Sequence, residues 1–203
     1  MRKFFWILFL PLLLTACGDP AVKEPTLPEN CRIVYRMESY KGERRTSHVV
    51  LTTARTAEGY YFDAGGGEEV LFLQEASDRF VMYIHSDMTG GFTAGEGVLT
   101  SAEKVEQFGT GVLHMGLLQR DVSALTATGE TRWVAGRSCL VYEGEQEAGE
   151  EYLLSSKVLV DQETGLTLGH WLVYTHRLTG EKTTYVMVCE LFETEDVQLP
   201  QPV

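Results

Sequence analysis

The sequence predicts an α+β domain, an antiparallel sheet with a helical segment set into it. Three observations carry that reading. No proline occurs between Cys31 and Leu199, and a proline-free stretch rich in Val, Tyr, Phe and Thr suits a continuously hydrogen-bonded sheet. Within it, apolar and polar residues alternate at meander spacings, with no βαβ rhythm. After Thr100 the apolar period lengthens to threes and fours, the spacing of an amphipathic helix.

The first element is a signal. Arg2 and Lys3 precede an apolar run, Phe4 to Leu14, that closes in Leu14-Thr15-Ala16-Cys17. About eleven apolar residues fall short of the roughly 20 that span a bilayer, and small residues before a cut mark an exported chain. The cysteine at the cut makes the stretch a lipobox. Residues 1–16 then form a lipoprotein signal peptide, and Cys17 is the expected lipidation site. One acyl chain such as palmitate binds reversibly, whereas two or three anchor stably. Cys17 is therefore an anchor to the outer face of a cell membrane in the envelope. Residues 17–30 carry Pro20, Pro25 and Pro28. They read as a flexible tether that reaches roughly 40 Å when extended. Residues 31–199 form the folded domain, and residues 200–203 a C-terminal tail.

The strands come next. Cys31, Ile33, Tyr35 and Met37 fall on one face and Arg32, Arg36 and Glu38 on the other, the pattern of a half-buried strand. Lys41-Gly42-Glu43 turns the chain and Ser47 to Thr53 returns. Glu58 to Asp63, Glu69 to Glu75 and Arg79 to His85 continue the meander. Turns fall at Gly65-Gly66-Gly67 and Ser77-Asp78. Thr100 with Glu103 makes a capping box. Behind it Val105, Phe108, Val112, Met115, Leu118, Val122 and Leu125 form an apolar stripe. After Thr131 the strands resume over Arg137 to Glu143, Tyr152 to Asp161, Thr167 to His176 and Lys182 to Phe192. Asp161 to Gly165 and Leu178 to Gly180 are their turns.

Charge and cysteines narrow the classes of function. The formal charge of −12 becomes −14 once Arg2 and Lys3 leave with the signal. An acidic chain is repelled by phosphate backbones, so nucleic acid is excluded as a partner. Anionic headgroups repel it too, which leaves membrane contact to the acyl chains. Beyond Cys17 there are three cysteines, Cys31, Cys139 and Cys189, enough for one internal disulfide and a free thiol. Their spacing fits no zinc site. In a simple meander Cys139 and Cys189 lie about 14 Å apart, whereas a disulfide holds Cα atoms about 4.4–6.8 Å apart. Cys31 with Cys189, tying the first strand to the last, is the expected pair.

The remaining candidates for chemistry are weak. Ser101-Ala102-Glu103-Lys104 matches the Ser-x-x-Lys of penicillin-recognising enzymes, and Lys182-Thr183-Thr184 approaches their Lys-Thr-Gly, but no Ser-Asp-Asn lies between. His170 and His176 share a strand parity at about 20 Å, too far for one metal. His85 with Asp87, His48 and His114 suggest no nucleophile–base pair. The acidic run Glu143, Glu145, Glu147, Glu150 and Glu151 reads as a solvated loop, with a weak calcium site as the alternative. No catalytic residue, metal ligand or cofactor is expected.

A long meander, a central helical segment and a closing meander follow in that order. The closing part contains Gly136 to Tyr142, Val158 to Leu166 and a last strand ending in Phe192. The chain in this respect resembles the half-barrels of the lipoprotein carriers LolA and LolB and of the sensor RseB. Among lipid-anchored members it is most similar to the GerS lipoproteins of clostridial spore germination. The resemblance implies a curved antiparallel β-sheet, an open half-barrel with a helical segment covering the concave face. It also implies a non-enzymatic protein that binds a lipid-like ligand or an envelope protein there. Val105, Phe108, Val112, Met115 and Leu118 would then line the ligand groove. Otherwise they are simply core. GerS implies an adaptor of an envelope or spore-cortex enzyme. A hydrolase is the least supported function, and a calycin-like closed barrel the alternative fold.

Overall fold

The computed structural model describes residues 23–67, 69–77, 79–86, 88, 90–101, 104–105 and 122–202. They form one antiparallel sheet of eleven strands: β1 (Cys31–Lys41), β2 (Arg44–Thr56), β3 (Gly59–Asp63), β4 (Glu69–Ala76), β5 (Arg79–Ser86), β6 (Gly91–Ser101), β7 (Thr126–Val134), β8 (Arg137–Ala148), β9 (Tyr152–Asp161), β10 (Thr167–His176) and β11 (Lys182–Glu193). The order is β6-β5-β4-β3-β2-β1-β11-β10-β9-β8-β7. Two meanders are thus joined at their first and last strands, with Tyr35 opposite Cys189 and Met37 opposite Met187. The absence of proline from Cys31 to Leu199 lets every strand donate to its neighbours.

Two expectations are corrected here. The described fold is all-β, not α+β: among the described residues only Lys104 and Val105 have helical backbone, and none of those residues forms a helical cover on the sheet. Thr100 and Ser101, expected to cap a helix, end strand β6. The described residues of that stripe serve different clusters. Val105 packs with Phe62, Phe72 and Phe80, whereas Val122 and Leu125 sit at the turn into β7 and pack with Tyr142, Val158 and Val160. Phe108, Val112, Met115 and Leu118 lie outside the described residues, as does Cys17. The barrel does not close either, since β6 and β7 are both edges.

The sheet curls nonetheless. Strand β7 touches β11 although three strands lie between them. The curl gathers Ile33, Tyr35, Leu51, Val141, Leu159, Leu168 and Met187 with all three cysteines into the largest core cluster. Tyr35 is buried there, and its hydroxyl donates to the Thr167 carbonyl at 3.0 Å, as a buried phenol requires.

Of the acidic run, Glu150 and Glu151 lie in the exposed β8–β9 turn, as expected, but the rest is strand. Glu143, Glu145 and Glu147 lie on β8, and each carboxylate has a partner. Glu143 pairs with Lys157 at 2.7 Å, Glu147 with Arg177 at 2.7 Å, and Glu145 accepts from Ser155 at 3.0 Å. Among the described residues no group of three His, Cys, Asp or Glu side chains could hold a metal.

Candidate functional site: an aromatic face with an arginine at its rim

The site is built on the N-terminal meander. Directly opposed residues of antiparallel strands share a face, and the register sets Thr53 opposite Phe62, Arg55 opposite Tyr60 and Tyr60 opposite Phe72. Phe80 follows from β5, opposite Gln74. Four aromatic rings therefore share one face. Tyr60 stacks with Phe62 at 6.4 Å and meets Phe80 edge-on at 5.8 Å, and Phe62 meets Phe72 edge-on at 6.2 Å. Offset and edge-on pairs of this kind each add about 0.5–1.5 kcal/mol beyond their buried area. Val105 is wholly buried against them.

Arg55 ends the row. Its guanidinium lies 5.4 Å from the centre of the Tyr60 ring, held by the ring's negative face. Like Arg32 and Arg44 it forms no salt bridge among the described residues, whereas Arg36, Arg45, Arg79, Arg132, Arg137 and Arg177 do. Beside it opens a cavity of about 860 Å³, lined by Arg55, Tyr60, Phe80, Gln74, Val197 and Leu199 and also by the carboxylates Glu29 and Glu58. The C-terminal residues Val197 and Leu199 reach it by crossing the other face of the sheet, against Ala54, Tyr61 and Leu71.

The residues expected to carry chemistry are not brought together. Five strands separate Ser101 on β6 from Lys182 and Thr183 on β11, and Lys104 is exposed. His170 is buried opposite Met187. His176 closes its own turn, its Nδ1 accepting from the backbone N–H groups of Leu178 and Thr179 at 3.3 Å. Sequence reasoning missed Arg55 and the aromatic row. The signal was present, because Tyr60 and Phe62 share one strand parity and Phe72 and Phe80 fall on the neighbouring strands.

Cys31 and Cys189 are not bonded, and Cys139 is free as well. The first and last strands do pair, but Cys189 stands opposite Tyr35, four residues along β1 from Cys31. Four residues are about 13 Å, so the register keeps the two sulfurs apart. Burial pushes the Cys31 thiol up to about 11 and the Cys139 and Cys189 thiols up to about 12. Only thiolates react. At pH 8 the native Cys17→Ser protein is expected to take up no iodoacetamide and the denatured protein three equivalents; intact mass reads the difference.

The described residues thus form an open, curled antiparallel sheet with an aromatic face and a cavity at the end of strands β2 and β3. No protein-family model matches the chain, and no curated protein matches it. Among solved structures the chain is similar to MucB, at 13% identity over 84% of this chain and 55% of that one, with a TM-score of 0.37. It is also similar to the complex of Pseudomonas aeruginosa MucA and MucB, at 12% identity over 86% of this chain and 59% of that one, TM-score 0.34. A third is a putative outer-membrane lipoprotein-sorting protein domain from Vibrio parahaemolyticus, at 10% identity over 83% of this chain and 87% of that one, TM-score 0.23. The chain thus spans a little over half the length of MucB.

Proposed function

We propose that this chain is a lipid-anchored extracytoplasmic binding protein that holds an amphiphile, an acyl chain with an anionic head, and performs no bond-breaking chemistry on it. The observation that carries the reading is Arg55, free of any carboxylate among the described residues and lying over Tyr60 at the rim of a cavity walled by Phe80, Val197 and Leu199. The same cavity is lined by Glu29, Glu58, Gln74 and Gln198, and a cleft of several hundred Å³ in which apolar side chains meet placed polar groups suits a ligand with both characters. A guanidinium gives such a pocket a two-pronged donor for a carboxylate or phosphate. Anchoring rests on the lipobox at Cys17, and the half-barrel resemblance to LolA, LolB and RseB fits the same role.

One observation favours the GerS-like adaptor as a second reading. Tyr152 lies against His176 at 5.1 Å and Tyr174 against Tyr185 at 6.0 Å. Beside them Leu178 is 89% exposed. Exposed aromatic residues gathered at one end are the usual anchors of a protein interface.

Titration of the Cys17→Ser protein with the fluorescent fatty acid cis-parinaric acid separates the two. Saturable one-to-one binding is expected. A charge-assisted hydrogen bond contributes about 1.5–3 kcal/mol, so Arg55→Gln is expected to weaken binding about tenfold or more. Phe80→Asp should abolish it. Absence of saturable binding, with a stable heteromer broken by Leu178→Asp, would replace the carrier with the adaptor.

A further inference from the structure

The tether is seated on the domain, and the way it is seated determines which end of the sheet meets the membrane. Residues 23–27 run across the β9–β10 turn. The Thr26 N–H donates to the Thr164 carbonyl at 2.8 Å, the Lys23 ammonium donates to the Glu163 carbonyl, and Leu27 packs on the main core cluster. Gly165, at a φ of +73°, is what allows the approach: a Cβ there would lie 2.4 Å from the Lys23 carbonyl oxygen. Two residues beyond Leu27, Glu29 and Asn30 line the cavity beside Arg55.

Length decides the consequence. A free tether of residues 17–30 would extend to about 45 Å, comparable to the roughly 40 Å of a twelve-residue strand. Such a leash imposes no orientation. Docking at Lys23 leaves six residue steps to Cys17, at most about 20 Å. The β10–β11 turn, at the far end of strands ten and twelve residues long, lies about 33–40 Å away, well beyond that reach.

We infer that the cavity end of the sheet faces the bilayer and the β10–β11 turn points away, so that Arg55 takes its anionic amphiphile from the membrane that anchors the chain. The inference rests on the proposed function and on lipidation of Cys17. Two tryptophans remain after signal removal, Trp133 and Trp171. Trp133 is 76% exposed and shares a cleft with Asp161, Gln162 and Glu163 at the docking turn.

Energy transfer from tryptophan to a dansyl-headgroup lipid, with the lipidated protein in phosphatidylcholine vesicles, tests the orientation. Two proteins are compared: Trp171→Phe, which reports from Trp133, and Leu178→Trp in a Trp133→Phe, Trp171→Phe background, which reports from the far turn. With the reporters about a strand length apart, transfer from Trp133 is expected to be at least about threefold the stronger. Equal or reversed transfer overturns the orientation. Protein that fails to float with the vesicles overturns lipidation instead, which is a separate result. Parinaric acid binding in the same samples reports on the cavity. Thr26→Pro removes the N–H donor without touching the sheet and is expected to equalise the two signals; a contrast that survives it overturns the docked tether as the cause.

Discussion

Gly59→Ala is expected to destabilise the domain by about 3 kcal/mol, the upper end of the range for overpacked sites. Gly59 begins β3 opposite Leu73 of β4. A methyl group there would lie 1.9 Å from the Phe72 carbonyl oxygen and 3.2 Å from the Leu73 Cα. Both obstacles are backbone, so no side chain can rotate away, and relief requires β3 and β4 to separate. The neighbouring hydrogen bond from the Gln74 N–H to the Glu58 carbonyl, 2.8 Å long, would stretch with them. The damage reaches the site, because Tyr60 follows Gly59 and Phe72 carries the obstructing carbonyl. Chemical denaturation should show the loss, and parinaric acid binding should fall in the protein that remains folded. Gly66→Ala is the control. A Cβ there meets nothing within 4 Å, and its cost should stay within about 0.5 kcal/mol.

Arg137→Ala is expected to cost about 3 kcal/mol. The Asp161 carboxylate, 2% exposed, accepts from Arg137 Nη2 at 2.8 Å and from Arg137 Nε at 3.3 Å. Arg137 also pairs with Glu163 at 2.8 Å and lies 4.8 Å from the Phe192 ring. Removing one partner of a buried pair costs about 3–5 kcal/mol, since the other charge is left uncompensated. The lower end applies because the Thr164 N–H and hydroxyl still reach Asp161 Oδ2 at 2.9 and 2.6 Å.

Burial pushes the Asp161 carboxyl up, but hydrogen bonds from Arg137 and Thr164 and the guanidinium's charge outweigh it and hold the group below the usual carboxylate range. A depressed native value gives stability that is present above the unfolded value, near 3.9, and lost as pH falls through the native one. In Arg137→Ala burial acts with less opposition, and the native value rises. The gap in stability between parent and variant is therefore widest near pH 7 and narrows below about pH 4, which melting temperatures across that range would show.

Much of this fold was legible because strand pairing writes a period of two into the sequence. The expected strands from Cys31 through Arg79 to His85, and those after Arg137, match the sheet within a few residues. Strands β6 and β7 were not seen. Gly91-Phe92-Thr93-Ala94-Gly95-Glu96-Gly97 offers few apolar side chains to alternate. In β7 a register shift between Ala127 and Thr131 breaks the parity, and most of its residues are exposed, as suits an edge. Of the apolar spacing from Val105 to Leu125, the described ends belong to two separate clusters, Val105 to one and Val122 with Leu125 to the other.

The site was only half legible. The aromatic residues stand in the sequence as strand core, and nothing local distinguishes Tyr60 or Phe80 from Tyr35. Arg55 gains its meaning from register alone, which sets it opposite both Cys31 and Tyr60. The tether looked free because three prolines and low apolar content describe a linker. Its docking rests on the Thr26 N–H, the Lys23 ammonium, the packing of Leu27 and the missing side chain of Gly165.

Native mass spectrometry of the protein purified from its own membranes in mild detergent, beside Arg55→Gln and Phe80→Asp, shows whether the cavity holds an amphiphile. A bound species of several hundred daltons that carries acyl fragments and an anionic head, reduced in the first variant and missing from the second, is the predicted result. A parent protein whose mass is that of the acylated chain alone, with a cavity that also takes up no added fatty acid, would contradict it.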